Sequence, residues 1–302
     1  MEERTQFDVI IIGGSYAGLS AAMALGRSLR HVLVLDSGQP CNRQTPHSHN
    51  FLTRDGATPT AIAQKAREQV LAYPTVTLKT GKAVQVTGQN SAFEVTTEAG
   101  ATFKGSKLLF ATGVKDLMPE MEGFAECWGI SVLHCPYCHG YEVHHQELGI
   151  LANGDMAFEL AKLISNWSPK LIVLTNGAHT FSQEQLKALQ KHQISVEERE
   201  IASLHHDRGY LQNVEFTDGS TLPLKAVFAR PAFTQHCTLP EELGCALTET
   251  GHLKVDILQK TTVPGVYAAG DATTMMRTVS MAIAAGTMAG AAINKELIEE
   301  RF

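Results

Sequence analysis

The chain has 302 residues, of which 44% are hydrophobic and 19% charged, a balance that suits one large or two ordinary globular domains with a sizeable core. Its 25 Lys and Arg against 31 Asp and Glu leave a formal net charge of −6. With no basic run, nucleic acid and acidic membrane surfaces are poor candidates for a partner. The N-terminus passes from a short polar lead straight into an apolar strand. It lacks the basic residues, long apolar stretch and small-residue cleavage site of a secretion signal, so a cytoplasmic location is expected.

The first predicted elements lie in residues 8–36, DVIIIGGSYAGLSAAMALGRSLRHVLVLD. An apolar strand, a small-residue turn, an amphipathic helix and a second apolar strand follow one another, as in the βαβ unit of dinucleotide binding. In the G-x-G-x-x-G pattern Gly13 takes the first place, Ser15 the second and Gly18 the third. Gly13 allows the tight turn and Gly18 lets the helix pack on the strand; Ser15 is small but carries a Cβ where backbone approaches a pyrophosphate. Ala17 lies between them in the first turn, whose free N–H groups face a diphosphate. Asp36 closes the second strand, where an acid can hydrogen-bond a ribose hydroxyl.

Residues 134–145, HCPYCHGYEVHH, set Cys135 and Cys138 two residues apart among four histidines. A zinc knuckle uses a longer loop than these ~10 residues, and a structural disulfide is out of place in a cytosolic chain. A redox pair fits better, because C-x-x-C lets two sulfurs reach bonding distance across one turn. The attacking species is a thiolate, so a base is needed. His139 adjoins Cys138, and an imidazole with an ordinary pKa of ~6.5 suits proton transfer near neutrality. His134, His144 and His145 are expected at solvated or core positions. Cys41, Cys127, Cys237 and Cys245 are expected to be mostly buried structural thiols.

Residues 147–175, ELGILANGDMAFELAKLISNWSPKLIVLT, repeat the first unit. Gly154 is in place, but Ala152 and Ala157 replace the outer glycines, and the second strand ends at Thr175 instead of an acid. No Lys or Arg occurs from Leu171 to Leu186, where the 2′-phosphate of NADPH would want cations. This copy keeps the fold, and its nucleotide binding is expected to be impaired. Near the C-terminus, VSMAIAAGTMAGAAI (279–293) is too short for the ~20 residues of a membrane span. Its Ala and Gly content predicts a buried helix in close contact with backbone or ligand.

Two dinucleotide folds with a C-x-x-C ahead of the second resemble the low-molecular-weight thioredoxin reductases, class II pyridine nucleotide-disulfide oxidoreductases, over nearly the whole chain. LLFATGV (108–114), with Ala111, Thr112 and Gly113, is similar to the family's strand near FAD. HNFLTRDG (49–56) falls at its flavin-contacting segment, with Asn50 matching the asparagine, and His47 and His49 are candidates to line the flavin pocket. TTVPGVYAAGD (261–271) is similar to the second flavin signature, with Gly270 and the ribityl-binding Asp271. RTVSMAIAAG (277–286), with Thr278, looks like the following helix, whose positive end would favour an anionic reduced ring.

The resemblance implies an α/β fold of two Rossmann-like, FAD- and NAD(P)-binding domains, the second inserted into the first. An FAD-binding domain is expected at 1–116 plus 247–302, and an NAD(P)-binding-like domain carrying the C-x-x-C at 117–246. It also implies FAD as cofactor and a homodimer, with Cys138 flavin-proximal, Cys135 the interchange thiol and His139 the acid/base. Three departures stand out: His139 replaces the family aspartate, the Arg-rich NADPH loop is missing, and Thr278 replaces a glutamine. The combination looks nearer the gliotoxin- and holomycin-type dithiol oxidases. Expected is thiol/disulfide exchange with a small dithiol or a thioredoxin-like protein, with electrons passing through flavin to oxygen. The alternatives are a disulfide reductase drawing on NADPH or another reductant such as ferredoxin, and a flavin-bearing redox sensor with little turnover.

Overall fold

The structure is a computed structural model and describes residues 4–302. In chain order the elements begin β1 (Gln6–Ile12), α1 (Tyr16–Arg27), β2 (Val32–Asp36), α2 (Pro59–Leu71), β3 (Val76–Thr80), β4 (Ala83–Gln89), β5 (Ala92–Thr97) and β6 (Thr102–Phe110). There follow β7 (Val114–Asp116), α3 (Phe124–Cys127), β8 (Val132–Leu133), α4 (Pro136–His139), a 3₁₀ turn (Tyr141–Val143), β9 (Leu148–Leu151), α5 (Gly154–Ile164), β10 (Leu171–Leu174), α6 (Gln183–Lys191) and β11 (Ser195–Glu197). The last are β12 (Ile201–Asp207), β13 (Tyr210–Phe216), β14 (Thr221–Pro223), β15 (Ala226–Ala229), β16 (Phe233–Gln235), α7 (Leu239–Glu242), β17 (Val266–Ala268) and α8 (Val279–Glu299).

One compact unit is made of residues up to Arg43, Pro59–Lys115 and Phe233–Phe302. Its sheet runs β3-β2-β1-β6-β5-β4, with β17 also pairing β6. The β3, β2, β1, β6 and β17 pairings are parallel, with Ile10 opposite Leu33 on one side and Leu108 on the other; β5 and β4 continue antiparallel. A continuous apolar run such as VIII in β1 suits a central strand covered on both faces. One face packs Val9, Ile11 and Leu109 against Leu19, Leu25 and Ile293 of α1 and α8. The other packs Phe7, Ile10 and Leu108 with Phe93, Leu239, Cys245 and Val266. Each fully buried side chain of this size contributes roughly 1.5–3 kcal/mol.

Helices α1 and α8 lie unusually close. A Cβ on Gly286 would strike the backbone of Ala17, and one on Gly290 would come 2.8 Å from Ala21 O. Ser20 Oγ donates to Ile283 O at 2.9 Å across the same crossing. The small residues of the C-terminal apolar stretch are therefore spent on another helix's backbone. Among the described residues no helix is long and apolar enough to cross a membrane.

A second compact unit comprises Gln44–Thr58 and Asp116–Ala232. Its five-stranded sheet, β11-β10-β9-β15-β8, is parallel throughout, with Val173 opposite Ile150 and Val227 opposite Gly149. Helix α5 presses Ala157, Leu160, Ala161 and Ile164 onto it. The antiparallel sheet β12-β13-β14 builds a separate core from Leu204, Val214 and Phe216 with Phe124 and Cys127. Sequence alone groups residues 44–58 with the first domain and 233–246 with the second; the packing groups them the other way. Gln44 Nε2 donates to Ala125 O and Trp128 O, each at 3.1 Å, while Leu239 and Cys245 enter the core around Phe93.

Candidate active site

In the second unit Cys135 and Cys138 form a disulfide with Cα atoms 5.3 Å apart, inside the usual span of about 4.4–6.8 Å. The local sequence explains the pairing. Cys135 is the N-cap of α4, and Pro136 at the first helical position has its φ preset for a helix. The Cys138 N–H then reaches back to both Cys135 O and Sγ at 3.2 Å, and the His139 N–H reaches Cys135 O at 3.2 Å. Gly140 ends the turn because a Cβ there would lie 2.5 Å from Pro136 O and 2.9 Å from the Trp167 ring.

His139 is half-buried on the same turn as the disulfide. Burial pushes its imidazole below the ordinary range and the nearby charge of His49 adds to this, while the Glu142 carboxylate opposes both. Tyr137 is 62% exposed and meets Trp167 edge-on at 5.4 Å. The side chain of His134 sits edge-on to Trp128 at 6.3 Å. His144 and His145 are exposed; His144 stacks on Tyr141 at 4.9 Å and meets His145 edge-on at 4.7 Å. Asn50, also in this unit, takes φ +58° and donates its N–H to Asp55 Oδ1 at 2.8 Å.

The first unit gathers the remaining predicted residues at the C-terminal ends of β1, β6 and β17. Gly13 takes φ +108°, and its N–H donates to Leu35 O at 2.8 Å. A Cβ on Gly13 would strike Ala111 O, and one on Gly18 would strike Gly13 O. Ser15 is the N-cap of α1 and its side chain makes no capping hydrogen bond; Ala17 follows, buried, in the first turn. Gly270, at φ +83°, passes so near Ala17 that a Cβ would lie 3.0 Å from its methyl. The Thr112 hydroxyl is buried with no partner among the described residues, and Gly113, at φ +67°, accepts from the His236 N–H at 3.3 Å. A glycine-walled turn, the free N–H groups of a helix start and an orphaned hydroxyl together fit a dinucleotide diphosphate.

Three predicted ligands have protein partners of their own. Asp36 Oδ2 lies 2.6 Å from Arg67 Nη2, so the ribose-facing acid is also an ion-pair member. Asp271 Oδ2 lies 3.6 Å from Arg277 Nε and accepts from Cys41 Sγ at 3.9 Å. Thr278 caps α8 by accepting from the Met281 N–H at 3.2 Å. Cys41, expected to be buried, is exposed, whereas Cys127 and Cys245 are buried and Cys237 is intermediate; the Cys41 loop, SGQPCNR at 37–43, is polar and offers no apolar side chain beside it except Pro40.

No sequence pattern marks Asn153. It caps α5, and its Oδ1 accepts from the Gly154 N–H at 2.8 Å and the Thr180 N–H at 2.9 Å, while Nδ2 donates to Ala178 O at 3.0 Å. A Cβ on Gly154 would lie 2.7 Å from Thr180 Oγ1. Loop 176–180 is thereby tied to the helix start that a second dinucleotide would need. The nearby Arg199 is paired with Glu197 at 2.5 Å and lies 3.7 Å from Asp218.

With this geometry in place, the comparisons agree on kinship. The chain belongs to the pyridine nucleotide-disulphide oxidoreductase family, whose model matches residues 7–286. It is 32% identical over 306 residues to thioredoxin reductase sirT of Leptosphaeria maculans, covering 95% of this chain and 93% of that one. It is 33% identical over 305 residues to thioredoxin reductase aclD of Aspergillus oryzae, covering 96% of each. Among solved structures, an oxidoreductase from Agrobacterium tumefaciens superposes with a TM-score of 0.91 at 36% identity, over 97% of this chain and 99% of that one. The protein is thus a thioredoxin reductase-like, flavin-dependent oxidoreductase, and its family implies FAD.

Proposed function

We propose that this protein is an FAD-dependent thiol/disulfide oxidoreductase in which Cys135 and Cys138 cycle between disulfide and dithiol, acting as a dithiol oxidase with oxygen as final acceptor. The observation that carries this reading is the disulfide closing the first turn of α4 with His139 on the same turn. Cys135 exchanges with the substrate, Cys138 faces the flavin and His139 moves the proton. FAD, when bound, supplies a two-electron acceptor. Gly13, Ser15, Ala17 and Gly18 would hold its diphosphate and Asp36 its ribose; Ala111, Thr112, Gly113, Gly270, Asp271, Thr278 and Asn50 would hold the rest. The substrate class is a small dithiol or a thioredoxin-like protein, and the working form a cytoplasmic homodimer.

The oxidase direction is supported by the second unit, where Asn153 and loop 176–180 engage the α5 start and Arg199 is committed to acids. Both features speak against a ready NADPH site. The second reading, a disulfide reductase fed by NADPH or ferredoxin, draws on the names of the sirT and aclD relatives. Anaerobic mixing decides between them. Slow flavin bleaching with stoichiometric NADPH and fast bleaching with a dithiol supports the oxidase; fast bleaching with NADPH overturns it.

A further inference from the structure

His49 has a carboxylate at each ring nitrogen: Nε2 lies 3.4 Å from Glu142 Oε1, and Nδ1 lies 3.6 Å from Asp55 Oδ2. The loop that carries it is closed tightly. The Ser48 N–H donates to Ala57 O at 2.8 Å and the Gly56 N–H returns to Ser48 O at 2.9 Å. The Asn50 N–H holds Asp55 by Oδ1, leaving Oδ2 for the imidazole. At the other end, Glu142 sits on the 3₁₀ turn that directly follows α4, three residues beyond His139.

The path starts at a half-buried group and ends in solvent: His139 is half-buried, Glu142 and His49 between are 38% and 22% exposed, and Asp55 at the far end is 68% exposed. The charged groups acting on His139 are Glu142 and His49, both members of the path. Separations of this size are a little long for hydrogen bonds, but proton-transfer contacts often tighten only once substrate binds. An imidazole between two carboxylates can take a proton at one nitrogen and release it from the other.

We propose that Glu142, His49 and Asp55 form a relay that carries protons between His139 and solvent during thiol–disulfide exchange. It rests on the thiol/disulfide reading above. When a substrate dithiol is oxidised by the Cys135–Cys138 disulfide, one S–S bond forms in the substrate and one breaks in the protein. Two electrons pass to the cysteine pair, which is released as two thiolates, and two S–H protons leave the substrate. His139 receives each proton and Glu142 passes it to His49 Nε2. Nδ1 then gives it up to Asp55 and solvent. The three relay members act through His139, so they are positioning residues.

The test needs no turnover of the flavin. The FAD-bound protein is mixed anaerobically with dithiothreitol at a series of pH values, quenched with iodoacetamide, and the reduced Cys135–Cys138 pair counted by mass. Glu142→Gln is expected to slow reduction at least about tenfold near neutrality. Its pH profile is also expected to move to lower pH, because the charge favouring protonated His139 is gone. His49→Gln, which keeps hydrogen-bonding capacity without titrating, is expected to be equally slow. His49→Ala is expected to recover with free imidazole, which should leave wild type unchanged. A Glu142→Gln or His49→Gln protein with the wild-type rate and profile overturns the relay, as does His49→Ala that imidazole cannot restore. A wild-type disulfide that dithiothreitol leaves intact at every pH overturns the underlying thiol/disulfide reading instead.

Discussion

Lys107 Nζ, on a side chain with no solvent exposure, lies 2.6 Å from Glu296 Oε1. Glu300 and Asn90 complete its shell at 2.5 and 2.7 Å. Glu296 also accepts from Lys260 and from the Tyr267 hydroxyl, so a single carboxylate joins β6, β17 and α8. Breaking a buried ion pair leaves an uncompensated charge and typically costs about 3–5 kcal/mol. Because Glu300 remains, Glu296→Gln is expected to cost about 3 kcal/mol, read from the urea midpoint.

The same carboxylate sets an acid limit. Burial raises the pKa of Glu296, but hydrogen bonds from Lys107, Lys260 and Tyr267 outweigh it and hold the group at about 2. A folded-state pKa below the unfolded one stabilises the fold above the unfolded value. That contribution is therefore expected to fade as pH falls from 4.5 to about 2, and a series of melts across this window should show a flatter dependence for Glu296→Gln.

Cys138→Ser is expected to abolish dithiol-driven bleaching of the flavin while leaving the protein yellow, because none of the first unit's glycine-walled turn depends on α4. Absorbance of the purified variant and its anaerobic reaction with a dithiol check both halves. Bleaching at the wild-type rate would remove Cys138 from the flavin-proximal role.

For His139→Ala the expected outcome is a changed pH–rate profile. Burial keeps this imidazole neutral to lower pH than an exposed histidine, so wild-type exchange should hold its rate below the usual ~6.5 midpoint before declining. The variant should lose that limb and run at least about a hundredfold slower.

Gly286→Val should weaken FAD retention without touching the cysteine pair. The new side chain would meet the backbone of Ala17 at the start of α1, and overpacking of this kind costs roughly 1–3 kcal/mol or more. Flavin content after gel filtration, compared with wild type, measures the effect; full flavin content in the valine variant would contradict it.

The features legible in the sequence are those where local geometry restricts residue type. Gly13, Gly18 and Asp36 mark a turn and strand end that few other residues satisfy, and the C-x-x-C marks one helical turn. Features that depend on distant segments meeting were not legible. Lys107 looks like an ordinary strand lysine until Glu296 and Glu300 arrive from α8. Glu142 passes for a surface acid until the 47–57 loop brings His49 to it. Asn153 carries its signal only through Thr180, on a loop whose path no periodicity describes. Motif order groups Asn50 and its neighbours with the first domain, whereas side-chain hydrogen bonds such as those of Gln44 bind that loop to the second unit.

The crossing of α1 and α8 unites residues 263 positions apart, as Ser20 and Ile283 are. A ribosome adding about 5–20 residues per second therefore releases β1, α1 and β6 well before the helix that covers them exists. Until α8 emerges, Val9, Ile11 and Leu109 lack part of their apolar cover, while the long stretch Asp116–Ala232 is already complete and free to fold. Until then one sheet face stays exposed, the condition under which chaperone capture competes with aggregation.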